Sequence, residues 1–386
     1  MSRITHDQSQ QLDSIRALSA FVVLIGHTNQ TLLYPTLGMG ATFIGFFTQL
    51  SVMVFFVLSG FLIGKSICNN TSKNATFSIK QYAIDRAIRI YPPLIAALML
   101  MVALSIIAPY FFPSGTNSFL SIPDATFVRT GFHVVSQDLF PTLAFLNEFK
   151  TLIPSSLDAI GFLNEFKVYT PAANGPLWSL SIEVWYYAAA AAIFVWPTRK
   201  ALSLALALVI LSVTYTNQLF FMLAPVWFAG LGLAIIHHRK PSMNNRLFSR
   251  LFAFMSITVI ISVVIVLIGE PSGKGLWLNR MNHFRLASGL WFACFLALLM
   301  GGAAKFPKLL HSQAKYSYTL YVTHFPIMLF LLGVFQKNIY GSVTYSFIAS
   351  TGTIVTCIIF ANLISKYTED KKFLAKIHAS TKRIFR

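Results

Sequence analysis

Long apolar runs separated by short polar stretches make up most of the sequence. A helix that crosses a bilayer needs about 20 apolar residues, with a range of roughly 17 to 25. By this criterion the pattern predicts ten membrane-spanning helices, of which the fifth and the sixth are short and separated only by Thr216–Gln218. A pair that crosses half of the membrane is the alternative for these two. The ten ranges are 15–34, 42–64, 92–112, 177–196, 201–216, 219–236, 251–268, 286–304, 317–335 and 342–365.

Lys and Arg are distributed unequally between the two sides that these spans define. If both termini are cytoplasmic, 23 of the 30 basic residues lie on the cytoplasmic side. Cytoplasmic loops carry an excess of Lys and Arg, so the distribution predicts this orientation. Residues 113–175 then form a long loop outside the cytoplasm, in which the hexapeptide FLNEFK occurs twice, at 145–150 and 162–167. We predict one transmembrane domain, 1–370, followed by a basic cytoplasmic tail, 371–386.

The composition excludes an ordinary water-soluble domain. Hydrophobic residues make up 55% of the chain and charged residues 11%, whereas about a quarter of the residues in a soluble domain are charged. The net charge of +18 is spread over short loops, so we expect contact with the lipid bilayer and no binding to nucleic acid. The three cysteines form an odd, scattered set, which argues against a disulfide framework. The expected fold is an all-α, polytopic transmembrane helical bundle.

An arginine and a histidine interrupt the first apolar run. Arg16 and His27 are eleven residues apart, which is three helical turns plus about 20°, so they share one face of the helix. At a rise of about 1.5 Å per residue, His27 lies roughly 16 Å deeper in the membrane than Arg16. The arginine suits a phosphate or a carboxylate at the membrane surface, and the imidazole suits a general base. The structural alternative is a snorkelling arginine and a histidine that bridges two helices.

Two further arginines precede the third span. Arg86 and Arg89 are neighbours on a helix and could clamp a polyphosphate at the cytoplasmic surface, or they could serve only to set the topology. Pro92 and Pro93 follow, and we expect them to begin the third span, where a missing N–H costs little.

Other ionisable residues lie within predicted spans, where they are costly and by default indicate function. Glu183 lies about 10 Å into the fourth span and must be paired or protonated. His324 lies about 12–13 Å into the ninth span, one turn after Tyr321. Because His27, Glu183 and His324 reach similar depths from three helices, we expect them to line one polar chamber. The alternatives are a structural carboxylate at Glu183 and a polar patch that bridges helices at His324.

Several other patterns carry no predicted chemistry. We expect Ser59-Gly60 and the glycines of Gly230–Gly232 to serve close packing of helices. His237-His238 is expected in a basic cytoplasmic loop without further ligands, so we predict no metal site. The sequence contains neither the G-x-S-x-G nor the H-E-x-x-H motif of hydrolases.

Five motifs follow one another along the chain. The first is Arg16 and His27, with the spacing R-x10-H; the other four are FFVLSGFLI (55–63), RxxRIYP (86–92), PLWSLSxE (176–183) and SYxLYxxH (317–324). Together, and in this order, they resemble the acyltransferase-3 family of bacterial integral-membrane O-acyltransferases. The resemblance extends from about residue 10 to residue 370. One such motif alone is weak, but five in the family's order are specific.

The resemblance implies that an acyl group, usually acetyl, is transferred from cytoplasmic acetyl-CoA to a hydroxyl by a multi-pass protein of the bacterial inner membrane. Acceptors in the family include O-antigen lipopolysaccharide and other glycans, so envelope glycan assembly proteins are expected partners. Arg16, Arg86 and Arg89 would hold the phosphates of the donor, and no metal is expected.

The resemblance also implies roles for residues inside the spans. His27 would deprotonate the acceptor hydroxyl, or accept the acyl group itself before transfer. Glu183 would orient a histidine or relay a proton. His324 and Tyr321 would stabilise the oxyanion or position the acceptor.

Two positions depart from the family pattern. Ser14 stands where glycine is common, and Glu369-Asp370 lacks the proline that often follows the family's late glutamate, which leaves the role of Glu369 open. We expect no C-terminal esterase-like domain, so the chain resembles the stand-alone members of the family.

Two other functional classes are compatible with about ten spans and buried polar residues. A secondary transporter or flippase would usually show two related halves with interrupted helices in corresponding positions, and the sequence shows no such symmetry. A non-catalytic subunit of a polysaccharide export complex is the third alternative. The combined motifs and the concentration of arginines on one side favour the enzyme.

Overall fold

The computed structural model is almost entirely helical. It describes residues 4–38, 41–112, 119–120, 129, 131–132, 134, 136–152, 165–167, 169–240, 243–268, 279–370 and 373–375. The helices in these ranges are α1 (His6–Leu32), α2 (Tyr34–Leu37), α3 (Ala41–Asn74), α4 (Ile79–Ile107), α5 (Ser136–Leu143), α6 (Leu177–Val195), α7 (Lys200–Thr214), α8 (Gln218–Arg239), α9 (Asn245–Ile268), α10 (Arg280–Met300), α11 (Ser317–Ile339) and α12 (Val343–Thr368). Short 3₁₀ turns lie at Ala108–Tyr110, Ala172–Asn174 and His311–Tyr316, and two strands are β1 (Lys150–Leu152) and β2 (Glu165–Lys167).

Ten of the helices in the described ranges coincide with the ten apolar runs, so the all-α, polytopic bundle is confirmed. Eight of them are long and apolar enough to cross a membrane. Helix α1 is long enough, but polar residues interrupt its apolar run and it is not among the eight. Helix α7 has 15 residues, and its length of about 22 Å falls short of the roughly 30 Å hydrocarbon core. The chain is therefore a multi-pass membrane protein.

Helix α4 begins before the predicted third span. We predicted that Pro92 and Pro93 begin this span, but α4 starts at Ile79 and both prolines lie inside it, so this prediction was wrong. In a membrane helix, neighbouring polar groups and local adjustments satisfy the carbonyl groups that a proline leaves unpaired, so a proline pair does not end the helix. As a consequence, Arg86 and Arg89 belong to the same continuous helix as the apolar run.

The repeated hexapeptide takes part in a small antiparallel ladder. Strands β1 and β2 pair with Lys150 opposite Lys167 and with Leu152 opposite Glu165. Lys150 and Lys167 are the last residues of the two FLNEFK copies, so the duplication places equivalent backbone positions opposite each other.

The chain divides into two compact units. Helix α1 contributes to both, because the division falls between Gly26 and His27. The first unit comprises Met1–Gly26, Thr42–Tyr82 and Leu219–Tyr318, and the second unit comprises His27–Ala41, Ala83–Gln218 and Thr319–Arg386.

In the first unit, α3 and α8 approach each other backbone to backbone. A Cβ atom added at Gly230 would lie 2.9 Å from the backbone nitrogen of Phe61, and one added at Gly60 would lie 3.1 Å from that of Leu231. Beside this contact the indole N–H of Trp227 donates to the hydroxyl of Ser59 at 3.2 Å. The packing role expected for Ser59-Gly60 and for Gly230 is confirmed, since only small residues permit so close an approach. For Gly232 the expectation was wrong, because a Cβ atom added there would have no atom within 4 Å.

In the second unit, the end of α12 caps the start of α11. Oε1 of Glu369 accepts a hydrogen bond from the backbone nitrogen of Thr319 at 2.7 Å, and the hydroxyls of Thr319 and Thr368 lie 2.8 Å apart. The first amide groups of a helix have no partner within the helix, so a carboxylate at this place stabilises α11. Glu369 therefore has a capping role, although the proline that often follows the family's glutamate is missing.

Candidate active site

Arg16 lies on α1 in the first unit, and contacts with Ala314, Ser317 and Asp13 are among those that hold it. Its Nη2 donates to the carbonyl oxygen of Ala314 at 3.0 Å, and its Nε donates to the hydroxyl of Ser317 at 3.2 Å. Asp13, one turn earlier, forms an ion pair with Arg16 at 3.2 Å, and 24% of the arginine side chain stays exposed. The guanidinium is thus fixed in place on a side chain that is not fully buried, which suits contact with a phosphate.

The first half of α1 is fastened to the connection between α10 and α11. Three side chains, spaced three residues apart on α1, bond to backbone groups of this connection at distances between 2.7 and 3.0 Å: Gln8 to Met300, Gln11 to Phe306 and Ser14 to Leu310. Positions three apart are neighbours on a helix surface, so these three contacts follow one side of α1. Arg16 lies two residues after Ser14 and reaches the same connection from a different side of the helix. Ser14, which replaces the family's glycine, therefore accepts a defined hydrogen bond.

His27 and His324 lie against each other in the second unit. Their ring centroids are 5.6 Å apart and their planes differ by 22°, so the two imidazoles stack. Phe325 meets both rings edge to face, at centroid distances of 5.6 Å to His27 and 6.1 Å to His324. His324 is 1% exposed. The structure thus brings together two of the three residues that we expected to line a polar chamber.

Hydrogen bonds determine which nitrogen of His324 carries the hydrogen. Nδ1 lies 2.9 Å from the carbonyl oxygen of Tyr321 and 3.1 Å from that of Leu320. A carbonyl oxygen can only accept, so in the neutral ring Nδ1 is protonated and Nε2 presents a lone pair.

Each imidazole of this pair has one nitrogen atom that could bond to another molecule. Nε2 of His324 is buried and has no hydrogen-bond partner among the described residues, and the same holds for Nδ1 of His27. A buried polar atom without a partner is costly, about 1–3 kcal/mol, so two of them in contacting rings indicate a place where another molecule binds.

A proline determines how α11 is attached beside His324. Pro326 has no N–H, so the carbonyl oxygen of Val322 lacks its helical partner. Nδ2 of Asn174 donates to this oxygen at 2.8 Å, and Asn174 is fully buried. The amide replaces the missing N–H and holds the segment before α6 against the turn that carries His324. We predicted no role for Asn174; the carbonyl left unpaired by Pro326 was the sequence signal that a partner was needed.

Tyr321 also contacts the start of α6. Its hydroxyl donates to the carbonyl oxygen of Pro176 at 3.1 Å and is hydrogen-bonded to the hydroxyl of Ser179. Its ring centroid lies 6.2 Å from that of His324. These bonds make Tyr321 a positioning residue between α6 and α11, and its role at an oxyanion stays a prediction.

The remaining predicted site residues lie on α6 and α4. Glu183, one turn after Ser179, accepts a hydrogen bond from the hydroxyl of Tyr187. On α4, Arg86 is partly buried and Arg89 is exposed. The roles predicted for these three residues stay predictions.

Arg129, from the segment between α4 and α6, is a neighbour of the histidine pair that we did not predict. Its Nε donates to the hydroxyl of Thr31, one turn beyond His27 on α1, at 3.3 Å. Its guanidinium carbon lies 5.0 Å from the ring centroid of Phe325. Burial lowers the pKa of Arg129 to about 10, so the guanidinium remains charged at neutral pH. A single arginine in a long loop gives no sequence signal of such a position.

His237 does not lie in a loop, as we expected, but in the last turn of α8. It is 3% exposed, and its Nδ1 lies 2.5 Å from Nζ of Lys65 on α3. The residues that we assigned to the loop, up to Arg239, therefore belong to α8. Within the described part of the chain, no group of three or more His, Cys, Asp or Glu side chains could hold a metal ion.

Comparison with known proteins identifies the class of the chain. A family model described as an acyltransferase domain, that of the acyltransferase-3 family, matches residues 9–362. No curated protein and no solved structure gives a significant match. The matched region contains both histidines, Arg16 and every motif on which the resemblance rests. The chain therefore belongs to the acyltransferase-3 family and is a membrane acyltransferase.

Proposed function

We propose that the protein is an O-acetyltransferase that moves an acetyl group from cytoplasmic acetyl-CoA to a hydroxyl of a cell-envelope or exported glycan, such as O-antigen lipopolysaccharide. The contact between His27 and His324 carries this proposal. Each ring has a buried nitrogen atom without a hydrogen-bond partner among the described residues, and imidazole is the side chain most often used as a general base.

Arginine side chains suit the donor. The phosphates of acetyl-CoA are anionic, and the planar guanidinium groups of Arg16, Arg86 and Arg89 match phosphate geometry. Arg16 and His27 lie eleven residues apart on the continuous helix α1, a rise of roughly 16 Å. Acetyl-CoA has its phosphates at one end and its thioester at the other. Its long, flexible pantetheine arm can therefore extend from phosphates bound at Arg16 to a thioester placed beside His27.

The reaction requires one proton acceptor and one proton donor. The hydroxyl oxygen of the acceptor attacks the thioester carbonyl carbon while its proton passes to the lone pair of His27. The tetrahedral oxyanion then collapses, the carbon–sulfur bond breaks, and the leaving thiolate takes the proton back from the imidazolium. A route through an acetylated His27 uses the same groups in two steps.

The other predicted residues assist these steps. His324 has a fixed tautomer with Nε2 as acceptor, so it can position the acceptor molecule by accepting a hydrogen bond from a second hydroxyl, beside the one that reacts. Glu183 relays a proton or orients a side chain, and Tyr321 keeps α11 in register with α6. The location that follows from this reaction is the bacterial inner membrane, where donor and lipid-linked glycans meet, with envelope glycan assembly proteins as partners.

Inside-out membrane vesicles supplied with labelled acetyl-CoA test the proposal. We expect release of free CoA together with incorporation of label into a membrane-associated glycan, and loss of both in His27→Asn. Mass spectrometry of lipopolysaccharide and peptidoglycan from cells with and without the gene would then identify the acceptor by a gain of one acetyl group. Movement of a glycan across the membrane without acetyl transfer would support the transporter instead and contradict the proposal.

A further inference from the structure

The side-chain amide of Asn174 has a fixed orientation and an oxygen atom that is not bonded. Its Nδ2 donates to the carbonyl oxygen of Val322 at 2.8 Å. A carbonyl oxygen only accepts, so the NH₂ group of the amide must face Val322 and Oδ1 takes the other position. Asn174 is fully buried, and its Oδ1 has no hydrogen-bond partner among the described residues. The fold therefore holds an acceptor oxygen atom in one orientation, away from water.

This amide lies next to the aromatic ring that contacts both histidines. A Cβ atom added at the following residue, Gly175, would lie 3.7 Å from two carbon atoms of the Phe325 ring. Phe325 in turn meets both imidazoles of the histidine pair edge to face. Val322, which accepts the bond from Asn174, is three residues before Phe325 and thus its neighbour on α11. All of these residues belong to the second unit.

Three side chains at this place have a buried polar atom without a hydrogen-bond partner in the described part of the chain. The atoms are Nδ1 of His27, Nε2 of His324 and Oδ1 of Asn174. The hydrogen bonds made by the other nitrogen atoms of His324 and Asn174 leave Nε2 and Oδ1 able only to accept. Because a buried acceptor without a donor is costly, two of them beside one ring indicate a ligand that brings hydrogen-bond donors.

We propose that Oδ1 of Asn174 binds substrate directly, by accepting a hydrogen bond from an N–H or O–H group close to the reacting atoms. This inference rests on the proposed function and adds a binding residue to the same site. Two groups of the proposed substrates have this chemistry: the amide N–H of the pantetheine arm nearest the thioester, and a glycan hydroxyl beside the one that reacts. Nδ2 of Asn174 then serves the fold while Oδ1 serves the substrate, so a bound substrate is held in register with the turn that carries His324.

A Pro326→Ala background separates the two functions of the amide. The alanine N–H can bond to Val322 within the helix, so the fold no longer depends on Nδ2 of Asn174. In this background, Asn174→Leu has a similar shape and no acceptor, whereas Asn174→Asp keeps an acceptor oxygen atom. The full-length protein is purified in detergent and supplied with acetyl-CoA and a glycan extract of the host membranes, and each substrate is varied in turn.

We expect Asn174→Leu to raise the KM for one of the two substrates by about fivefold or more relative to Pro326→Ala alone. Asn174→Asp should stay within about twofold. A rise for acetyl-CoA assigns the bond to the pantetheine amide, and a rise for the glycan assigns it to a group of the acceptor. Asn217→Leu is the matched control, because it removes another buried amide that donates to a backbone carbonyl, that of Glu148, and it should change neither KM.

Two results would overturn the inference. One is an unchanged KM for both substrates in a folded Asn174→Leu protein, and the other is an equal rise in Asn174→Leu and Asn174→Asp, which would trace the effect to packing. If Pro326→Ala is itself inactive, the same two variants are compared with Pro326 in place, since both then lose the bond to Val322 and differ in the acceptor oxygen. Absence of acetyl transfer by the unmodified protein is a different result, because it contradicts the proposed function itself.

Discussion

Asn174 donates a hydrogen bond to the carbonyl oxygen of Val322 across 2.8 Å and supplies the partner that Pro326 withholds. The bond attaches the segment before α6 to the turn of α11 that carries His324. It therefore connects the residues just before the motif that starts at Pro176 to the motif that ends at His324.

This relationship predicts a coupling between Asn174 and Pro326. Asn174→Ala should lower the free energy of unfolding by about 1–3 kcal/mol, because the buried carbonyl of Val322 loses its donor. In a Pro326→Ala background the alanine N–H can bond to Val322 within the helix, so the same substitution should cost clearly less. Thermal unfolding of the four proteins in one detergent measures the cycle. Equal costs in both backgrounds would show that the amide does not replace the missing N–H.

Both histidines can be tested with replacements that mimic one nitrogen atom of the imidazole. Asparagine at position 324 keeps a donor near the place of Nδ1 but has no group at Nε2, whereas glutamine mimics Nε2. We expect His324→Asn to unfold close to the unmodified protein and to lose acetyl transfer by about 100-fold or more. His27→Asn should lose at least as much.

His6→Asn is the control for the histidine replacements, because His6 is exposed and is the first residue of α1. It should retain full CoA release. An active His27→Asn protein would remove the base from the mechanism and favour a non-catalytic role for the chain.

Arg16 should act mainly on donor binding. Arg16→Gln is expected to raise the KM for acetyl-CoA by about tenfold or more, because a charge-assisted bond to phosphate is lost. Ser317→Ala removes one contact of Arg16 but leaves its charge, so it should change KM much less. Initial rates of CoA release at varied acetyl-CoA separate the two effects. A similar rise in both variants would mean that the position of α11, and not the charge, matters.

Gly230 and Gly232 provide a matched pair for the contact between α3 and α8. Gly230→Ala should destabilise the protein by about 1–3 kcal/mol, because its Cβ would meet the backbone of Phe61, which cannot move aside. Gly232 has open space around its Cα, so Gly232→Ala should be neutral or stabilise by up to about 1 kcal/mol through helix propensity. Unfolding midpoints in detergent test both, and equal shifts would contradict the close approach.

Asp7 should make a small, pH-dependent contribution to stability. Lys308 lies 2.5 Å from its carboxylate, and this hydrogen bond, followed by one from Gln11, lowers the pKa of Asp7. A lowered folded-state pKa means that the contribution is present above the ordinary value of about 3.9 and is lost as the pH falls through the folded-state value. Asp7→Asn should therefore unfold slightly earlier at pH 6, and the difference should shrink as the pH falls below the ordinary value of the carboxyl group. A constant difference over this range would indicate packing instead.

The apolar runs were sufficient to place ten helices, because a long apolar run has few alternatives to a helix in a membrane. They also predicted contact between His27 and His324, because side chains on two helices can meet only if they lie at similar depths in the membrane. Arg129 and Asn174 could not be found in this way, because their positions depend on packing between segments far apart in sequence. The start of α4 was misplaced because the rule applied to Pro92 holds for helices in water.

The contacts between α1 and the connection from α10 to α11 restrict how this region can be altered. Four side chains of α1 meet backbone groups at successive positions between Met300 and Ala314. One residue inserted near Lys308 would displace the later backbone partners, the N–H of Leu310 and the carbonyl oxygen of Ala314, by one place. Arg16 would then lose its anchor while every helix stayed intact. Epitope tags and fluorescent labels therefore belong elsewhere in the chain, even though this stretch has the irregular conformation that usually tolerates them.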